Sequence, residues 1–115
     1  MIDKINEVIG KPFDAVNFHC YHLVRYLVPK APDWRVVASI AEGLRWSSEL
    51  TKLTKRVTTP ESGDIALLGR TFKTMYHAGV YFEGRIVHVD SVGTRAELLH
   101  IIARKYPAIR YYRCI

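Results

Sequence analysis

The spacing of apolar residues changes near residue 60, and this change constrains the fold more than any other feature of the sequence. Before it, apolar residues repeat at helical spacing, as in Leu23, Val24 and Leu27. After it, apolar and polar residues alternate in short stretches bounded by turn residues, which is typical of strands. We therefore expect a single α+β domain over residues 1–115, with N-terminal helices packed on an antiparallel sheet.

Three helices are expected before residue 60. The first covers residues 2–9 and the second residues 20–28, and a third carries apolar residues at helical spacing from Trp34 to Leu44. Residue types that begin or end helices mark their limits: Asp3, Asn17 and Asp33 as N-caps, Gly10 and Pro29 as stop signals.

Four strands and one further helix are expected after a turn at residues 60–63. The strands cover residues 64–68, 76–82, 85–91 and 109–113. Thr94 and Glu97 have the spacing of a capping box, so a helix should begin there and end before Pro107.

The dipeptide Glu83-Gly84 is a two-residue hairpin signal, and it determines which side chains share a face. The register it predicts pairs Phe82 with Arg85, Val80 with Val87, and Ala78 with Val89. On the other face, His77 then lies opposite Asp90 and diagonally from His88, with its Nδ1 side turned toward one of them. Gly79 lies beside these side chains, and its missing side chain lets another group approach closely.

Cys20 is expected in the first turn of a helix, where unpaired backbone N–H groups and the helix dipole favour an anion. Because the thiolate is the nucleophilic form, this position predicts a depressed pKa and a reactive thiol. A buried, unreactive cysteine is the alternative. His19 precedes Cys20, and helix geometry is expected to direct it away from His22.

The second cysteine, Cys114, lies next to the C-terminus, so two cysteines give no disulfide framework. A single Cys20–Cys114 disulfide is the alternative to a free Cys20 thiol. The cysteines and histidines lack the usual zinc-ligand spacing, so neither a metal nor another cofactor is expected.

The charge of the chain is basic, with 17 Lys and Arg against 11 Asp and Glu. Such a balance attracts polyanions, among them nucleic acid, anionic wall polymers and acidic lipid headgroups. The basic residues are scattered rather than clustered, so nucleic-acid binding is not expected. No apolar run approaches the ~20 residues of a membrane helix, and the first residues lack the layout of a signal peptide.

Four segments together resemble the NlpC family of papain-like cell-wall peptidases. The family has a cysteine block that opens a helix, a proline- and glycine-rich turn into a glycine-aspartate strand, a histidine-valine-glycine strand, and a hairpin return that carries a third polar residue. The corresponding segments here are residues 18–24 (FHCYHLV), 60–65 (PESGDI), 77–82 (HAGVYF) and 87–88 (VH). The order is that of the family, and the resemblance spans residues 10–113.

This resemblance implies a papain-like fold with Cys20 as nucleophile, His77 as general base and His88 as orienting residue. Asp90, Gly79 and His19 are expected as substrate-binding or supporting residues, with Asp90 as the alternative third member. The implied substrate is a peptide bond of the peptidoglycan stem peptide or cross-link. The small size is similar to the branch associated with phage tail tips, so other tail proteins are expected partners, and the protein would act on a phage or prophage particle or at the cell wall. A non-catalytic tail or wall-binding module with the same fold is the alternative.

Overall fold

The strands form a single antiparallel sheet in a computed structural model that describes residues 1–31, 53–73 and 75–115. In this part of the chain there are six strands, in the order β1-β6-β2-β3-β4-β5, and three helices. The elements are α1 (Ile2–Val8), α2 (Cys20–Leu27), β1 (Thr54–Val57), β2 (Ile65–Gly69), β3 (Met75–Phe82), β4 (Arg85–Asp90), β5 (Gly93–Leu98), α3 (Leu99–Lys105) and β6 (Ala108–Cys114). The expected α+β class with an antiparallel sheet is confirmed.

Helices cover both faces of this sheet. On one face, α2 buries Leu23, Val24 and Leu27 against Val80 and Val87, and α1 packs on the same apolar cluster. On the other face, α3 buries Ile102 against a second apolar cluster formed by Ala66, Leu68 and Ile86. Because β2 lies between these two clusters, all of its residues are buried, which accounts for its continuous apolar sequence.

The hairpin between β3 and β4 has the predicted two-residue turn. Glu83 and Gly84 have φ angles of 47° and 81°, the left-handed values that this turn requires. The pairs of Phe82 with Arg85 and Val80 with Val87 are confirmed.

Beyond Val80 the hairpin departs from its predicted register, because the β3–β4 ladder ends there. The predicted pairs of Ala78 with Val89 and of His77 with Asp90 are therefore wrong. Ala78 and His77 pair only with β2 on their other side. The break occurs next to Gly79, where the Val87 carbonyl oxygen lies 2.7 Å from the position that a Cβ would occupy. The close approach expected at Gly79 is thus made by β4 itself.

Residues 94–97 form part of β5 rather than the first turn of a helix, so the predicted capping box is wrong. They pair with β4, for example Thr94 with Val89 and Glu97 with Ile86. The Thr94 hydroxyl donates to the Lys11 carbonyl oxygen at 2.9 Å instead of capping a helix. Strand pairing outweighs the local capping signal here, and α3 begins only at Leu99.

Other expectations differ at the ends of elements or lie outside the described residues. The N-cap of α1 is Met1 instead of Asp3. Strand β1 was not expected, because its sequence TKRV shows no apolar alternation. The expected third helix, from Asp33 to beyond Leu44, lies outside the described residues. No helix in the described part of the chain is long and apolar enough to cross a membrane.

Candidate active site

Two histidines shape the beginning of α2, at which Cys20 is the first residue. His19 is the N-cap, and its Nδ1 accepts a hydrogen bond from the Tyr21 backbone N–H at 3.2 Å. The Nδ1 of His22 accepts from the His19 backbone N–H, also at 3.2 Å, and the two imidazole centroids are 4.0 Å apart. The predicted N-cap Asn17 and the predicted separation of His19 from His22 are therefore wrong. His19 thus stabilises the helix turn that carries the thiol.

The Cys20 thiol is half-buried and protonated rather than activated at rest. Burial raises the pKa of Cys20, and the backbone N–H groups of Ala78, Tyr21 and Cys20 oppose this only in part. The expected depressed pKa is therefore wrong for this structure, because the helix terminus does not compensate for the lost solvation. Both cysteines are free thiols, so no Cys20–Cys114 disulfide is present.

The same interactions place the Cys20 sulfur near the backbone N–H of Ala78, the residue after His77, on the stretch of β3 that no longer pairs with β4. The Tyr106 ring stacks on His77 at a centroid distance of 5.2 Å. Among the described side chains, however, no hydrogen bond joins the Cys20 thiol to an imidazole.

His77 lies on the same face of the sheet as His88, as the hairpin parity predicts. Its Nε2 is 2.9 Å from the Nδ1 of His88, so the expectation that the Nδ1 side of His77 would face its partner is wrong. Burial lowers the pKa of His77 to about 4, with a further contribution from His88 and an opposing one from Asp90. His77 is therefore neutral at physiological pH, and its Nδ1 is the nitrogen that does not contact His88.

His88 is completely buried, and its second nitrogen is bound by a residue that sequence reasoning missed. The His88 Nε2 lies 2.8 Å from Oε1 of Glu97 on β5. Lys105 on α3 donates to both oxygens of Glu97, at 2.9 and 3.0 Å. Burial raises the pKa of Glu97, but hydrogen bonds from Lys105 and His88 outweigh it, so the net shift is downward and Glu97 is a carboxylate. Parity along β5 would have revealed this residue, had β5 been recognised as a strand.

Asp90 binds a cation and not an imidazole. Its Oδ2 accepts from Arg95 at 2.6 Å and its Oδ1 accepts from the Val92 backbone N–H at 2.9 Å. Burial raises the pKa of Asp90, but the Val92 N–H and the Arg95 guanidinium lower it by a larger amount. The net shift is therefore downward, and the carboxyl is ionised. Within the described residues Asp90 makes no hydrogen bond to His77 or His88, so Glu97 occupies the place next to His88.

His88, Asp90 and Glu97 could in principle offer ligand atoms to one metal ion, since these atoms lie within 4.8 Å of one another. Arg95 already contacts both carboxylates, with its second contact to Glu97 at 3.1 Å, and Lys105 also binds Glu97. A metal ion would have to displace these two cationic side chains. The cluster is better described as a salt-bridge network behind the histidines.

This region thus contains a thiol at a helix start, two hydrogen-bonded neutral imidazoles and a partly buried carboxylate. This is the set of groups that nucleophilic acyl transfer requires: a nucleophile, a base and groups that orient the base. In comparisons with known proteins, no family model matches the chain and no curated protein matches it.

Proposed function

We propose that the protein is a papain-like cysteine hydrolase of the NlpC type that cleaves amide bonds in the stem peptides or cross-links of peptidoglycan, acting as part of a phage or prophage tail. The observation that carries the proposal is the His77–His88 hydrogen bond, together with the backbone N–H of the next residue, Ala78, beside the Cys20 sulfur. A base held by a second buried imidazole, one residue from the amide that contacts the sulfur, has the arrangement of a thiol hydrolase.

The reaction starts from a neutral thiol and a neutral imidazole. As the Cys20 sulfur attacks the substrate carbonyl carbon, its proton moves to the free Nδ1 of His77. The tetrahedral intermediate collapses by breaking the C–N bond, and His77 returns this proton to the leaving amine. Water then attacks the thioester, again with His77 as the base, and the S–C bond breaks to regenerate the thiol.

A neutral resting pair suits the electrostatics of this site better than a thiolate–imidazolium pair. The pKa of Cys20 is raised and that of His77 is lowered, and burial causes both shifts. Proton transfer therefore accompanies nucleophilic attack, as in serine hydrolases, and the negative charge passes directly to the substrate oxygen. The backbone N–H of Cys20 and a second donor near it would stabilise that oxyanion.

The experiment is digestion of purified peptidoglycan of several wall types by the wild type, Cys20→Ala and Cys114→Ala. Cys114→Ala is the matched control, because it removes the other thiol, which lies far in sequence from His77 and His88. Mass spectrometry should detect new stem-peptide termini with the wild type and the control but not with Cys20→Ala. Equal release by Cys20→Ala would refute a cysteine hydrolase.

A non-catalytic tail or wall-binding module is the second candidate. It is favoured by the raised pKa of Cys20 and by the missing hydrogen bond between its thiol and an imidazole of the described part of the chain. This candidate predicts that the wild type sediments with insoluble peptidoglycan but releases no fragment from any wall type. Cys20→Ala should then bind peptidoglycan as well as the wild type does.

A further inference from the structure

We propose that Glu97 is a positioning residue that fixes the proton of His77 through His88 and so leaves the Nδ1 of His77 free to act as the base. The catalytic part of this inference rests on the proposed function, whereas the proton positions do not. The sequence segments that resemble the NlpC family do not include Glu97, and its contribution is visible only in the contacts between β4, β5 and α3.

The proton positions follow from donor and acceptor counting along the chain of contacts. An ionised carboxylate can only accept, so the His88 Nε2 that lies 2.8 Å from Glu97 must carry a hydrogen. Burial lowers the pKa of His88, so the ring is neutral at a pH well above 6.5 and has a single N–H, and its Nδ1 carries a lone pair. The His77 Nε2, at 2.9 Å from that lone pair, must then donate, and the His77 Nδ1 is left unprotonated.

The opposite set of tautomers is unfavourable in this structure. With its hydrogen on Nδ1, His88 would direct a lone pair at the Glu97 carboxylate, and two acceptors would face each other. His88 is completely buried, so no bulk water can relieve such a contact. Repulsion at this buried position therefore selects one tautomer for both rings.

Two cations keep Glu97 in the ionised form on which this selection depends. Lys105 binds both carboxylate oxygens, and Arg95 contacts Oε1 at 3.1 Å. The Glu97 side chain is only 10% exposed, so these contacts are partly shielded from solvent. The positioning device thus connects α3 and β5 to the base on β3.

The first test is nitrogen NMR of the imidazoles in the whole protein, at a pH well above the ordinary imidazole pKa of ~6.5. The nitrogen shifts distinguish the tautomers, and His77→Asn and His88→Asn variants assign the signals. We expect both rings in the Nε2–H form in the wild type. A wild-type His77 in the Nδ1–H form would overturn the proposal.

Glu97→Ala and Asp90→Asn are the matched pair of variants. Glu97→Ala should convert His88, and with it His77, to a mixture of tautomers, whereas Asp90→Asn should leave both in the Nε2–H form because Asp90 binds Arg95 instead of an imidazole. Unchanged tautomers in a folded Glu97→Ala protein would refute the proposal. If Glu97→Ala does not fold, the isosteric Glu97→Gln replaces it in this comparison. The wild-type tautomers are a test by themselves, because an Nδ1–H form of His77 in the wild type is sufficient to reject the proposal.

The kinetic arm separates this inference from the proposed function. Glu97→Ala should lower kcat by about 10- to 100-fold with little change in KM, as for carboxylates behind metal-binding histidines, and by less than the ~10⁴-fold loss found when the carboxylate contacts the base directly. Glu97→Asp, which keeps the charge, should recover part of that loss. An inactive wild type with Nε2–H tautomers would contradict the hydrolase function but support the positioning role. An active wild type whose activity is unchanged in Glu97→Ala would support the hydrolase function but contradict the positioning role.

Discussion

The Nε2 of His77 lies 2.9 Å from the Nδ1 of His88, although the strands that carry these residues are no longer paired at this point. The two rings form a hydrogen bond at the point where the β3–β4 ladder ends. Gly79 lies at this point and allows the β4 backbone to cross close to β3. The close crossing at Gly79 therefore lies beside the position at which the imidazoles meet.

Cys20 should react as an ordinary or weaker nucleophile at neutral pH when no substrate is bound. Burial raises the pKa of this thiol, and the neutral His77 supplies no positive charge to stabilise a thiolate. In a Cys114→Ser background, the rate of alkylation should rise only as the pH passes above the ordinary cysteine pKa of ~8.5. A midpoint several units below that value would show instead a preformed thiolate–imidazolium pair.

Substitutions in the site should separate activity from stability. Under the proposed function, Cys20→Ala and His77→Ala should abolish or nearly abolish hydrolysis, whereas His88→Ala should be milder, because His88 would orient the base without transferring the proton. His88 is completely buried and binds both His77 and Glu97, so His88→Ala should also reduce the free energy of unfolding by about 2–4 kcal/mol.

Urea unfolding and peptidoglycan hydrolysis measured on the same preparations check this prediction. Cys20→Ala serves as the control, since removing a half-buried sulfur should change stability much less than removing a buried imidazole. The loss of stability should be specific to His88, because the face that carries it is covered by α3 and is not open to solvent. Equal stability of His88→Ala and the wild type would contradict the role of His88 in packing.

The elements that could be predicted from sequence are those whose local residues determine the local structure. Glu83-Gly84 adopts positive φ angles that few other dipeptides favour, so the turn and the shared face of His77 and His88 were predictable. Glu97 was not, because the segment from Thr94 is a strand only through its pairing with β4, and by itself it resembles a helix start. Strand β1 likewise depends on pairing with β6.

The pKa of Cys20 shows the same limit at the level of electrostatics. A helix start can be inferred from sequence, and it favours the thiolate. The amount of solvent removed from the sulfur cannot be inferred, because it depends on how α2 packs on β3 and β4. In this structure burial is the larger effect, so the pKa shifts upward instead of downward.

The stability of the fold should decrease in mildly acidic solution because of His77. Its folded pKa of about 4 lies below the ordinary value of 6.5, so above pH 6.5 the group is neutral in both the folded and the unfolded state. As the pH falls from 6.5 toward 4, the unfolded chain binds a proton that the folded state does not, and the free energy of unfolding declines by up to about 3 kcal/mol. Below the folded pKa this contribution is constant.

Urea unfolding across this pH range, compared with His77→Gln, measures that contribution. Several groups act on His77 besides its own strand: His88 lowers its pKa, Asp90 raises it, and Tyr106 stacks on its ring. The lowered pKa of His88 adds a loss of the same sign, so the variant should flatten the profile in part. An identical slope for wild type and His77→Gln would show that His77 is not the responsible group.

Gly79→Ala should damage both the hairpin and the alignment of the imidazoles. A Cβ at this position would lie 2.7 Å from the Val87 carbonyl oxygen, 2.8 Å from Cγ2 of Ile86 and 3.2 Å from the Cβ of His88. The nearest atom belongs to the backbone, so β4 has to move, and overpacking of this kind typically costs about 1–3 kcal/mol.

Gly84→Asn is the matched control, because that glycine has open space around it and asparagine tolerates its positive φ. The NMR signals of His77 and His88 and the free energy of unfolding should change in Gly79→Ala and stay near wild type in Gly84→Asn. Equal behaviour of the two variants would mean that β4 accommodates a side chain at position 79, and the close crossing at Gly79 would then not be what brings His88 to His77.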